Sequence, residues 1–381
     1  MQVTKSSLDK KNFFYMLIFI MTFAISIILA EIIQSSMYLF GIPFIITLIV
    51  SGVIVDKGWR LYSMFLLLAE GVLLIVIGLI INTEPLAVNL LLIILGLISG
   101  LTTCALMAYF ADHTDEQFGK MERSTAAGFI FSITWILMAI SISAYNVASQ
   151  ATVGLTMFGI MLIIFGGIKF TGGICAIIIK FTEGESPAIV KYEMSKGIKG
   201  FFKDSFGFVI SDKKFFIYWI CYMLVWISQG IISNLSTLTG LNFNQISALG
   251  FATGGLILVA GGYMIDKIGR KNMVLYGLIL TTASFVVYVF DMGAVFYSGI
   301  AILISTIFVI LADIAPPDSR GRYSGIFIGL ILIGFFVGQI IGIGGANPAI
   351  TMGYYIAGAI LCGIALIIIF AFGKDTKKSE S

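Results

Sequence analysis

Two short runs place an acid and several bases where together they could form a latch. Gly52-Val-Ile-Val-Asp56-Lys57-Gly58-Trp59-Arg60 and Gly262-Tyr-Met-Ile-Asp266-Lys267-Ile-Gly269-Arg270-Lys271 each put an aspartate one helical turn past a glycine. An aspartate at a helix end can accept hydrogen bonds from the free amides that open a neighbouring helix, and it meets the positive end of that helix's dipole. The glycine lets the two backbones approach. Lys57, Arg60, Lys267, Arg270 and Lys271 can pair with acids on adjacent loops or with phosphate groups. A second pair of runs, Asp112 through Arg123 and Asp313-Ile-Ala-Pro316-Pro317-Asp318-Ser319-Arg320-Gly321-Arg322, adds Asp313 and Arg320 to the same set.

Three ionisable residues, Glu31, Glu70 and Lys169, stand inside apolar stretches, where charge is costly enough to imply a purpose. Glu70 and Lys169 have opposite charge at similar depth and read as a structural ion pair, with proton coupling the alternative. Glu31 lies off the helical face that carries Tyr15, Thr22 and Ser26, and is either a proton or cation site or a contact to headgroups. Trp219, Tyr222, Trp226, Gln229 and Ser233 are spaced by three and four, so they share one helical face. Aromatic planes beside an amide and a hydroxyl suit a sugar ring or an amphipathic or cationic molecule. Weaker polar candidates are Thr103, Ser298 and Ser305. The sequence has no nucleotide-binding loop, metal cluster or nucleophile constellation, so it is read as neither an enzyme nor a cofactor or metal protein. Cys104, Cys175, Cys221 and Cys362 fall in apolar stretches without disulfide context and read as small buried hydrophobes.

The elements that hold these residues follow from composition. With 381 residues, 59% hydrophobic and 11% charged, the chain has too little polar surface for a soluble globule. A span needs roughly 20 apolar residues, and twelve stretches qualify: 13–33, 37–55, 61–81, 86–110, 125–147, 153–179, 215–235, 245–264, 272–290, 294–312, 323–344 and 351–372. All but one of the 23 lysines and arginines lie in the termini and alternate connections on one side; the exception is Lys169. The positive-inside rule therefore puts both termini in the cytoplasm of a cell-membrane protein, with the first span a retained helix. Topology accounts for the basic residues, so the net charge of +3 implies no nucleic-acid partner.

The polar stretch 181–213 separates six spans in 1–180 from six in 214–381 and carries an amphipathic pattern expected to lie at the headgroups. Glycines at 325, 329, 334, 338 and 342 mostly recur every fourth residue, a face fit for close helix contact in lipid. The latch runs recur after equivalent spans of the two halves, the signature of a duplicated six-span unit.

At those runs the chain resembles the major facilitator superfamily of secondary transporters. The run after the eighth span fits that family's G-x-x-x-D-[RK]-x-G-R-[RK] element in full. The earlier copy lacks one residue between Lys57 and Gly58. The resemblance implies an all-α membrane protein of two pseudo-symmetric six-helix bundles, expected as a monomer among membrane lipids, whose charged runs gate the cytoplasmic face. It also implies that the first, fourth, seventh and tenth spans line a central cavity, which makes Thr22, Ser26, Thr103, Trp219, Tyr222, Trp226, Gln229, Ser233, Ser298 and Ser305 the candidate solute contacts. None of those four spans holds Arg, Lys or His, so a neutral or cationic organic solute is expected over an anionic one. Protons are the expected coupling ion. The alternatives are a multidrug exporter of the same fold, although the proline-glycine element of such exporters is missing from 125–147, and a receptor or scaffold without transport.

Overall fold

The computed structural model describes residues 10–32, 37–114, 123–150, 154–182, 206–209, 211–235, 243–288, 293–342 and 348–376. The amphipathic helix expected within 181–213 lies largely outside them. The helices, in chain order, are α1 (Lys10–Ile32), α2 (Met37–Ile54), α3 (Arg60–Phe65), α4 (Leu67–Ile80), α5 (Pro85–His113), α6 (Arg123–Gln150) and α7 (Gly154–Thr182). They continue with α8 (Lys213–Leu235), α9 (Phe243–Ile268), α10 (Arg270–Tyr288), α11 (Gly293–Ile314), α12 (Arg320–Gly342) and α13 (Pro348–Phe372). Leu66, between α3 and α4, keeps right-handed helical angles of φ −63° and ψ −13°, so the two form one span. Counted that way the long helices among the described residues number twelve, and their limits fall within a few residues of the expected spans. Among the described residues, seven helices are long and apolar enough to cross a membrane, and three shorter apolar helices accompany them.

Local chemistry sets several ends. Pro85 opens α5, where its missing amide costs nothing. Asp212 Oδ1 accepts the amides of Lys214 (3.0 Å) and Phe215 (3.1 Å) and so caps α8. Helices that begin or end on charged motifs run a turn beyond the apolar stretch, which explains why α9 extends to Ile268.

The helices divide between two compact units. The first comprises Met1–Glu122, Val147–Phe206 and Ala315–Gly329, and the second Arg123–Asn146, Gly207–Ile314 and Leu330–Ser381. In the first, α4 packs on α7, α2 on α5, α1 on α7, and α4 on α5. In the second, α10 packs on α13, α9 on α11, α8 on α13, and α10 on α11. Shifted by six spans, the second set of pairs is the first. This is the packing of two pseudo-symmetric six-helix bundles in an all-α membrane protein.

The glycine face of α12 serves close packing in lipid, where shape rather than hydrophobicity holds helices together. Within the second unit a Cβ on Gly338 would lie 2.0 Å from Ile227 O of α8, and one on Gly230 of α8 would lie 2.1 Å from Phe335 O of α12. Backbone meets backbone there, so neither position has room for a side chain.

Candidate functional site

In both units the glycine–aspartate run ends in a glycine with left-handed angles. α2 passes into a π-helical turn, Val55–Trp59, in which Gly58 has φ 92°; α9 ends at Gly269, with φ 91°, before α10 begins at Arg270. The first copy is one residue shorter before its glycine and one longer after it, so the aspartate-to-arginine spacing is four in both. Arg60 Nη2 accordingly reaches Asp56 Oδ1 at 3.5 Å, and Arg270 Nη1 reaches Asp266 Oδ1 at 3.3 Å. An L-residue pays about 1–2 kcal/mol in that region. Gly58→Ala is therefore expected to lower the thermal unfolding midpoint in detergent by that loss. Gly269→Ala is expected to lower it by a similar amount, because the Asp375 carboxyl, 1.9 Å from such a Cβ, is the tip of an exposed side chain that can swing aside. Unchanged midpoints would contradict the shared turn.

Around each aspartate a buried charge cluster forms. In the first unit the amides of Gly321 (2.7 Å) and Arg322 (3.0 Å), in the first turn of α12, donate to Asp56, as does Arg322 Nε (3.0 Å). Asp112, near the end of α5, accepts from Arg60 Nη1 and from Arg320 Nη1 (2.7 Å). Arg60 Nη2 also donates to Pro317 O at 2.9 Å, and Cys104 Sγ to Gly321 O at 3.1 Å. A Cβ on Gly52 would lie 2.6 Å from Arg322 Cα, so only glycine lets α12 come this close.

The second unit repeats the arrangement. Asp266 Oδ2 accepts the amide (2.9 Å) and hydroxyl (2.8 Å) of Thr125, in the first turn of α6. Asp313, near the end of α11, accepts from Arg123 Nη1 (2.6 Å), Arg270 Nε (3.0 Å) and Thr376 Oγ1 (3.1 Å). A Cβ on Gly262 would lie 2.6 Å from Ser124 O and 2.9 Å from Gly128 Cα. Each cluster is thus a carboxylate at a helix N-terminus, where amides and dipole favour it, tied by arginines to a second carboxylate.

Arg60, Arg270, Arg320, Asp56, Asp266 and Asp313 meet in these clusters. The lysines of the runs do not. Lys57 is exposed, Lys267 stands 4.6 Å over the Tyr263 ring, and Lys271 Nζ donates to Phe370 O at 3.1 Å. Arg322, Thr125 and Thr376 were not singled out from the sequence, and Asp112 and Arg123 only bounded a run. A signal for the first two was present, since each follows an arginine that opens a span.

A third polar group is wholly buried in the first unit. Lys169 Nζ of α7 donates to Glu70 of α4 and to Ser26 Oγ of α1 (2.7 Å). Glu70 also accepts from Ser99 Oγ (2.5 Å) and Thr102 Oγ1, both on α5. Four helices meet at this pair. The side chains of Glu31 and Ser233 lie outside the described residues.

In the second unit Tyr222 OH donates to Leu303 O of α11 at 3.0 Å, and the Trp226 ring stands 6.1 Å from that of Tyr222. Trp226 and Gln229 are buried and Trp219 is half-buried. The smaller candidates mostly bond within the protein. Thr22 Oγ1 donates to Phe19 O and Ser305 Oγ to Ala301 O, each in its own helix, and Ser298 Oγ pairs with Thr253 Oγ1 across to α9 at 2.9 Å. Thr103 is buried on α5.

Residues 214–381 match the family described as the Major Facilitator Superfamily. No curated protein sequence matches the chain. Among solved structures, the major facilitator superfamily proton:xylose symporter XylE, bound to 6-bromo-6-deoxy-D-glucose, aligns with a TM-score of 0.63 at 13% identity, over 98% of this chain and 97% of that one. A bacterial homologue of the iron transporter ferroportin, in an outward-facing state, aligns at 0.64 and 12%, over 95% and 98%. The major facilitator superfamily transporter FucP, in an outward conformation, aligns at 0.65 and 14%, over 94% and 98%. The family and these structures are membrane transporters. Residues 214–381 thus match that family in sequence, and the chain shares the fold of these transporter structures along nearly all its length.

Proposed function

We propose that this protein is a secondary active transporter that moves a small neutral or cationic organic solute by alternating access, driven by protons. It works as a monomer in the cell membrane, with both termini in the cytoplasm. Two six-span domains, residues 1–180 and 214–381 joined by 181–213, rock about a central site. The observation that carries the reading is the paired charge cluster. Asp56 holds the start of α12 and Asp266 the start of α6, so each domain grips a helix contributed by the other half of the sequence. Such grips close one side of the protein while they last. The basic residues of the connections support a cytoplasmic location for that side.

The solute class rests on the cavity-lining spans, which hold no Arg, Lys or His between 13–33, 86–110, 215–235 and 294–312. Trp219, Tyr222, Trp226 and Gln229 are the proposed contacts, with Thr22, Thr103, Ser298 and Ser305 on the other spans proposed to line the cavity. Proton coupling is supported by the description of XylE as a proton symporter, and Glu31 is the acid on a cavity-lining span.

The test is a thermal-shift screen of purified protein against sugars, amines, amino acids and lipophilic cations, followed by flux into proteoliposomes with an imposed proton gradient. One neutral or cationic class is expected to raise the midpoint and to accumulate inside. Stabilisation by phosphorylated compounds alone would overturn the solute class. Absence of gradient-driven flux for every stabilising compound would overturn the transporter.

A further inference from the structure

The segment after α13 does not leave the second unit but crosses its charge cluster. Tyr218 OH, in the first turns of α8, donates to Lys374 O at 2.8 Å. Thr376 Oγ1 donates to Asp313 Oδ2, the same oxygen that accepts Arg270 Nε. Between them the Asp375 carboxyl lies over Gly269, where a Cβ would come within 1.9 Å of it. Lys374 and Asp375 are exposed while Gly373 and Thr376 are buried, so the segment turns one side to the cluster and the other outward.

We infer that residues 373–376 form a strap that sets how readily the second charge cluster opens, a regulatory element that rests on the gate reading above. Asp313 is the acceptor that ties Arg123, at the start of α6, to Arg270, at the start of α10. A third donor on it fixes its orientation. The strap's buried side also keeps water from the cluster, and ion pairs weaken as water enters. Release of the strap leaves the arginines in place but loosens the carboxylate that holds them, so α6 detaches more often. Any partner or covalent change that pulls Thr376 from Asp313 would then shift the opening equilibrium without touching the solute site.

The reporter is a thiol at Ser124, a fully buried residue in the first turn of α6. Ser124→Cys is introduced in a chain whose Cys104, Cys175, Cys221 and Cys362 are replaced by alanine, and maleimide labelling is timed in proteoliposomes. Thr376→Val is expected to speed labelling about tenfold, the usual weight of a hydrogen bond to a charged group. Tyr218→Phe is expected to speed it by less, and Thr376→Ser to restore the parent rate. Asp266→Asn is the control for the gate itself. If Asp266→Asn speeds labelling while Thr376→Val and Tyr218→Phe do not, the strap is passive and the inference is overturned, with the gate intact. If Asp266→Asn leaves the rate unchanged, the gate reading falls and the strap's role falls with it.

Discussion

Lys169→Met alone should sharply reduce the yield of folded protein, and adding Glu70→Gln to it should restore most of that yield. Lys169 and Glu70 are entirely shielded from the surroundings, and the carboxylate is shared among Lys169, Ser99 and Thr102. Removing the ammonium leaves a carboxylate in a low-dielectric interior without its counter-charge, a loss of about 3–5 kcal/mol for buried pairs. The double variant carries no charge there, and an amide oxygen can still accept from the two hydroxyls. The expected order of monodisperse yield and unfolding midpoint is wild type, then the double variant, then Lys169→Met. A single variant as stable as wild type, or a double variant no better than the single, would remove the pair from the structural account. The same reasoning separates structure from coupling: a double variant that folds and still accumulates solute with the proton gradient assigns the pair to architecture.

This pair also marks how far the sequence could be read. Its partnership followed from charge and depth, because a lone charge in lipid is too costly to leave unmatched. Its inclusion of Ser26, Ser99 and Thr102 did not. A serine on an apolar helix satisfies its own carbonyls as readily as it meets a neighbour, and only packing decides between them. The spans were legible because hydropathy over about 20 residues is a strong signal. The left-handed glycines were half legible: Gly269 stands where the motif demands it, whereas Gly58 is displaced by one residue. The π-helical turn that compensates has no signature in composition. Least legible was which helix start would supply the amides expected at each aspartate, those of Gly321 and Arg322 for Asp56 and that of Thr125 for Asp266. An amide is present in every residue, so nothing in its identity announces a partner more than a hundred positions away.

Asp56→Asn is expected to open the first cluster and to be visible at Cys104. Asp56 is buried and takes two backbone amides and the Arg322 guanidinium, with Arg60 beside it. Asparagine offers one carbonyl oxygen and turns an amide toward the donors, so the start of α12 loses its anion and two arginines lose a counter-charge. A loss of about 3 kcal/mol would shift a two-state equilibrium about a hundredfold, since each 1.4 kcal/mol is tenfold. Cys104 is fully buried, with its thiol donating to Gly321 O at 3.1 Å in that same first turn. It becomes reachable only when that turn moves away. In a chain with Cys175, Cys221 and Cys362 replaced by alanine, maleimide labelling of Cys104 should accelerate by one to two orders of magnitude in Asp56→Asn, while gradient-driven uptake falls because the closed state is too rarely visited. Asp266→Asn carries the decisive comparison. If the two clusters act as one gate, it too speeds labelling of Cys104, although no atom of that cluster touches the thiol. If only Asp56→Asn does so, the clusters open separately, and alternating access by concerted release of both grips is wrong.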